Sequence, residues 1–180
     1  MGVVSPELYN AWPRARNMNV WEAIATGFDG GFVPLGPRGL GVGLHGELSE
    51  AERAWRAERV WTVLRGLGPH TWGSVAEADA ESVEEFAQRT FSELPAGVQS
   101  VVLLMRALVG RPQLVLLDEV WAGMDDGMIR AAREYLRGEG VGEEQAVVVV
   151  SHWEDEVPWG VEDGVKRFRL EGGEGAVLLE

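Results

Sequence analysis

Two aliphatic runs, Leu114-Val115-Leu116-Leu117 and Ala146-Val147-Val148-Val149-Val150, each stop on polar groups: Asp118-Glu119 after the first and Ser151-His152 after the second. Between them lies "GMIRAAREYLRG", where Met128, Ile129, Ala132, Tyr135 and Leu136 recur at helical spacing and Gly138 is placed to close the helix. Continuous aliphatic runs of this length predict strands buried on both faces, and two of them joined through a helix form a βαβ unit, parallel and with a right-handed crossover. Ahead of the first strand, "GVQSVVLLMRALVG" is apolar almost all round and predicts a buried helix. The fold class is therefore α/β. If the two strands are neighbours, Asp118, Glu119 and His152 converge on one crevice at their carboxyl ends, where open α/β sheets hold ligands. Taken alone, the run ending on Asp118 reads equally well as a core strand opening into a solvated loop.

The remaining segments are helices and loops. "VWEAIATGF" has helical spacing through Val20, Trp21, Ile24 and Phe28 with Gly27 closing it, after a loop punctuated by Pro6 and Pro13 and a short strand at the amino terminus. Residues 29–46 form a Gly/Pro loop. "LSEAERAWRAERVWTVLRGLG" opens on a capping box, Ser49 and Glu52, presents Trp55, Val60, Trp61, Leu64 and Leu67 on one face and ends at Gly66 and Gly68. An acidic helix follows in "AEADAESVEEFAQRTF", with Val83, Phe86 and Phe91 inward, and the tail adds two short strands in "VKRFRL" and "AVLL". The acidic run Glu154-Asp155-Glu156 reads as a solvated helix start.

A formal net charge of −13 argues against a surface that holds nucleic acid or anionic lipid non-specifically, so no nucleic-acid partner is expected. The absence of cysteine removes disulfides, thiolate nucleophiles and zinc–thiolate sites. No stretch approaches the roughly 18 apolar residues of a membrane span, and a cytoplasmic setting without membrane insertion is the expectation. "GVGLHG", residues 41–46, matches G-x-G-x-x-G, yet it follows a segment with two prolines and precedes a helix cap, whereas a dinucleotide fingerprint follows a strand and opens a helix. It reads as a loop, and His45 as exposed. The eight tryptophans read as core and interface anchors.

"FSELPAGVQSVVLLMRALVGRPQLVLLDEVWAGMD", followed by "VVVVSHWEDEVP", resembles the back portion of an ABC-type ATPase nucleotide-binding domain of the soluble subgroup without membrane spans. In that family a signature loop opens a helix, the Walker B strand ends in Asp-Glu, a D-loop follows, and a later strand ends in a switch histidine. "SPELYNAWPRARNMNVWEAIATGF" is similar to the stretch after the Q-loop strand, so the likeness covers nearly the whole chain. The resemblance implies a partial P-loop NTPase-like parallel sheet with flanking helices, a helical subdomain over about 29–93, and a portion over about 94–180 carrying signature helix, Walker B, D-loop and switch histidine. It implies ATP and magnesium as cofactors. Asp118 would hold the metal through water, Glu119 would polarise the attacking water, and His152 would reach the γ-phosphate. Ala96, Gly97 and Gln99 of the signature and Asp125 of the D-loop would face nucleotide or a partner domain in trans.

Three departures qualify that implication. No G-x-x-x-x-G-K-[ST] occurs, and the only lysine, Lys166, lies in "EDGVKRFRL". The resemblance thus implies a domain without its front third, expected to be unable to bind ATP alone and partnered by another nucleotide-binding domain or by the upstream segment. The signature reads Leu94-Pro95-Ala96-Gly97-Val98-Gln99, with proline at the serine position and alanine at the first glycine, and Ser5 stands where the Q-loop glutamine is expected. Without a strand from that front third, residues 146–150 would form an open edge, and the chain alone is expected to be poorly soluble or oligomeric. Two alternatives remain at this point: a metal-dependent hydrolase using Asp118, Glu119, His152 and Glu156, and a non-catalytic interaction module.

Overall fold

The computed structural model describes residues 1–13, 17–73, 81–171 and 174–178. Residues 14–16 of the first predicted loop, residues 76–80 of the acidic helix and Leu179 lie outside them. The elements are β1 (Gly2–Val4), α1 (Pro6–Ala11), α2 (Val20–Ala25), α3 (Glu50–Leu67), α4 (Val83–Gln88), α5 (Ala96–Val109), β2 (Leu114–Asp118), α6 (Asp126–Tyr135), β3 (Ala146–Val150), β4 (Arg167–Glu171) and β5 (Glu174–Leu178). Among the described residues the sheet is three-stranded and parallel, in the order β1-β2-β3, and β4 and β5 form a separate antiparallel hairpin. The predicted βαβ unit is β2-α6-β3, with Leu117 beside Val149 and Asp118 beside Val150.

Local chemistry explains most boundaries. Asn19 with Glu22, Ser49 with Glu52 and Ser82 with Glu85 form reciprocal capping boxes at α2, α3 and α4. The first proline marks a helix rather than a loop: Ser5 accepts from the Leu8 amide at 3.2 Å and Pro6 occupies the first turn, where its missing N–H costs nothing. Gly66 lies inside α3 instead of ending it. A Cβ there would fall 2.2 Å from the Tyr135 ring, so glycine lets α6 approach α3. After α6 the chain runs through a π-helical turn, Leu136–Gly140, past the stop predicted at Gly138.

The two strands expected to be buried on both faces are covered on one only. Val115 and Leu117 are fully buried, while Leu114, Val148 and Val150 stay 38%, 47% and 49% exposed. The hydrophobic core lies on the covered face, where α5 packs against β1, α2 and α3 and every residue from Gly97 to Val109 is buried. Arg106 is buried with them. Its Nε donates to Thr26 Oγ1 at 2.9 Å and its Nη2 to the Gly31 carbonyl at 2.8 Å, under the rings of Trp12 and Phe32. Burial lowers its pKa to about 10, so the guanidinium stays charged at neutral pH. The tryptophans divide: Trp12 and Trp121 are buried, whereas Trp55 and Trp153 are exposed.

Candidate functional site

β2 delivers Asp118 and Glu119 to the carboxyl end of the sheet, and β3 delivers His152 two residues past its own end. The Glu119 amide donates to the Val150 carbonyl at 3.1 Å, which carries the ladder one residue beyond Asp118. Glu119 takes φ = +47°, a left-handed conformation unfavourable by about 1 kcal/mol for a residue with a Cβ. Such backbone outliers concentrate where a side chain must be aimed at a ligand. The convergence expected from sequence is present: His152 Nε2 lies 2.9 Å from Glu119 Oε1, across adjacent parallel strands. Both side chains open to solvent, 79% and 45% exposed.

Asp118 and Glu119 border a crevice of about 260 Å³, whose other walls include Ser5 and Tyr9 of the α1 segment, Ala96 and Ser100 of α5, and Gly123. The start of α5 thus belongs to the same hollow as the two carboxylates. Contact between α5 and the 120–124 turn is close. A Cβ on Gly97 would sit 2.2 Å from the Gly123 carbonyl oxygen, and Ser100 Oγ donates to the Ala122 carbonyl at 3.0 Å. Gly123 itself has φ = +78°. Glycine at 97 is therefore required by packing, whatever it does toward a ligand.

Two further candidates are occupied locally. Gln99 is buried and its Nε2 donates to the Leu94 carbonyl at 2.9 Å, fixing the turn before α5. Asp125 caps α6, its Oδ1 accepting from the Met128 amide at 2.9 Å. Ser5 caps α1 from the rim of the crevice. Glu156, the fourth group of the hydrolase alternative, is engaged by Ser151 Oγ. Among the described residues no three His, Cys, Asp or Glu side chains stand close enough to cage a metal. One or two strand-end carboxylates beside an open hollow suit magnesium, which fills its remaining positions with water and phosphate.

The residues that brace the segment after His152 carry no sequence signal of their own. Trp121 Nε1 donates to the Glu156 carbonyl at 2.8 Å, and Arg133 lies 5.4 Å from the Trp121 ring while donating to the Asp155 carbonyl. Arg137 donates to the Pro158 carbonyl. These side chains tie the 153–158 segment to α6 and to the turn after Glu119.

No family model matches the chain. An uncharacterized ABC transporter ATP-binding protein of Schizosaccharomyces pombe is 37% identical over 76 residues, which make up 42% of this chain and 15% of that protein. Another from Saccharomyces cerevisiae is 27% identical over 164 residues, 88% of this chain and 25% of the relative. The ATP-binding protein of a zinc uptake system in Listeria innocua is 37% identical over 68 residues, 38% of this chain and 26% of that protein. Of solved structures, an inward-facing, metal-chelate type ABC transporter aligns with TM-score 0.62 and 14% identity over 98% of this chain and 56% of that one. A dimeric ATP-binding cassette in a post-hydrolysis state, bound to ADP and Pi, aligns with TM-score 0.51 and 21% identity over 86% of this chain and 53% of that one.

The fold is thus that of a part, about half in length, of these ABC structures: a parallel sheet with flanking helices. The homologues of the chain are ABC transporter ATP-binding proteins, and it spans 15% to 26% of the length of the three described. Among the described residues no helix is long and apolar enough to cross a membrane.

Proposed function

We propose that this chain serves ATP hydrolysis as the part of an ABC-type nucleotide-binding domain that carries the water-activating and switch groups, and that the phosphate loop reaches it from an upstream segment or from another nucleotide-binding domain. The observation behind this reading is the 2.9 Å contact between His152 and Glu119 at the mouth of the crevice that Asp118 borders. Bound Mg-ATP would supply the phosphoryl group and its counter-charge, with Asp118 as the metal-side carboxylate. Glu119 accepts a hydrogen bond from the attacking water and aligns it. His152 donates Nε2–H to Glu119 and keeps the carboxylate at the opening until its imidazole is needed at the phosphate. Ala96 and Gly97 offer first-turn amides of α5 to nucleotide held by the partner, while Gln99 and Asp125 contribute through the turns they fix. The segment 29–93 acts in this reading as the helical subdomain. Another nucleotide-binding domain, a reading supported by likeness to a dimeric cassette, or the upstream segment is the partner class, and a cytoplasmic setting follows from that role.

Calorimetry of the chain with Mg-ATP is expected to give an affinity weaker than micromolar, below about 8 kcal/mol of binding free energy, because no glycine-rich loop and lysine wrap the β-phosphate. Micromolar binding by the chain alone would overturn the division of labour. In an assembly with a domain that has a phosphate loop, Glu119→Gln should slow phosphate release by about 100-fold or more and leave nucleotide affinity unchanged. Unaltered turnover would remove Glu119 from the mechanism.

A further inference from the structure

We propose that Arg130, Arg133 and Arg137 form a docking stripe for an acidic segment of a partner protein, an extended stretch that carries carboxylates on alternate residues. Arg130 and Arg133 belong to α6, and Arg137 sits in the π-helical turn that continues it. Spacings of three and four residues put them in one row, with steps of about 4.5 and 6 Å along the helix axis. Together with Asp126, Ile129 and Glu134 they line one open hollow of about 270 Å³. Main-chain carbonyls hold each guanidinium in place. Arg130 Nη2 donates to the Trp72 and Gly73 carbonyls at 3.1 and 3.4 Å, Arg133 Nη2 to the Asp155 carbonyl and Arg137 Nε to the Pro158 carbonyl. Arg56, Arg65 and Arg89 each face a carboxylate, whereas among the described residues none of these three has an ion-pair partner. Arg133 Nε is buried without a hydrogen-bond partner. A guanidinium carries five N–H donors, so every one of the three keeps donors unused.

The row selects its occupant by charge and by length. Three cations that no carboxylate neutralises stand out on a chain of net charge −13. Asp126 and Glu134 border the same hollow, and three cations against two carboxylates leave one net positive charge. Affinity must therefore come from geometry as well as field, and the planar fork of arginine matches a carboxylate with two parallel hydrogen bonds. Anchoring by main-chain carbonyls reduces the side-chain freedom lost when a ligand arrives. A single phosphate meets one fork or two. An extended segment turns alternate side chains to one side every ~6.6 Å, close to the steps between the arginines, and half-buried Ile129 offers it an apolar contact. Because α6 stands with α3 and α5 on the helical side of the sheet, the stripe owes nothing to the bare face. Nothing in this docking depends on Glu119 or His152 acting on nucleotide.

The test uses the full 180-residue chain and fluorescence anisotropy with a labelled peptide of alternating glutamate and valine. This peptide should bind about tenfold more tightly than its glutamine-for-glutamate counterpart, as a few partly exposed ion pairs allow, and the preference should fade with salt. The overall negative charge of the chain works against that result, so a preference for glutamate requires a local cationic site. Arg130→Gln combined with Arg137→Gln, both at exposed positions, should remove the preference while the urea midpoint stays near that of the parent. Arg130→Lys combined with Arg137→Lys keeps the charge and loses the forks, and should weaken binding about threefold or more. Inorganic phosphate should displace the peptide no better than chloride at equal ionic strength. Equal binding of the glutamate and glutamine peptides by the unaltered chain, full binding by a folded double glutamine variant, or displacement by phosphate at matched ionic strength would overturn the assignment.

Discussion

The two sides of the parallel sheet are built to different standards. On one, α5 lies between the sheet and helices α2 and α3, with Val101, Leu104 and Leu108 essentially inaccessible and the buried Arg106 satisfied by Thr26 and Gly31. On the other, Leu114, Val148 and Val150 are open although their composition is as aliphatic as the core. Hydrophobicity is common to both sides, and only the presence of a covering element separates them. Burial stabilises by the area removed from water. The helical side therefore carries the stability of the chain.

That division is most sharply broken or upheld by paired substitutions. Leu64→Ala in α3 or Leu104→Ala in α5 should cost about 2–5 kcal/mol, the range for deleting a buried leucine whose neighbours cannot collapse into the space. Val148→Thr, nearly isosteric and on the open face, should stay within about 0.5 kcal/mol of the parent. Urea unfolding of the three variants checks this. A large loss from Val148→Thr would mean that its face is covered in solution.

A smaller effect is expected where the covered side meets the site. Gly97→Ala forces a methyl group against the Gly123 carbonyl, and the turn after Glu119 must shift to admit it. The cost should be about 1–3 kcal/mol, as for other overpacked positions. If the main chain at 121–124 helps aim Glu119, the same variant should also slow hydrolysis in the two-domain assembly. A stability loss with unchanged turnover would separate packing from aim.

The unequal sides also explain what could be read from the amino-acid sequence. The order of elements from α5 to β3 and the meeting of Glu119 with His152 were legible, because aliphatic runs and terminal polar groups are local signals and the βαβ rule converts them into topology. The bare face was not. An aliphatic strand looks alike whether or not a neighbour covers it, so Val148 and Val150 were expected inside. The helix at Pro6–Ala11 was hidden because Pro6 acts as punctuation in a loop and as a favourable first residue in a helix, and only the Ser5 cap distinguishes the two. Arg106 and the buried Arg59 were illegible as buried groups for a related reason: each donates to a main-chain carbonyl, Gly31 for one and Val109 for the other, that no side-chain pattern reveals. The bracing of residues 153–158 by Trp121 and Arg133 depends on packing between α6 and a loop far along the chain.

The weakest expected effect lies at the rim of the helical side, where Asp29 fastens the glycine-rich loop. Its Oδ1 accepts from Arg56 at 2.8 Å and its Oδ2 from the Val42 amide at 2.8 Å, while Arg56 also donates to the Leu40 carbonyl. Burial by itself would raise the Asp29 pKa, but the hydrogen bonds from Arg56 and Val42 outweigh it and hold the carboxyl below its ordinary 3.8. Near that pH the folded chain consequently binds fewer protons at Asp29 than the unfolded chain does. The stability this carboxylate contributes is full above pH 3.8 and disappears as the pH falls through the lowered value. Asp29→Asn keeps the shape and removes the charge, so its urea midpoint should fall slightly below that of the parent at neutral pH and approach it as the medium is acidified under 3.8. The absence of a gap at any pH would show that the loop is held by Arg56 and the Leu40 carbonyl, with Asp29 incidental to it.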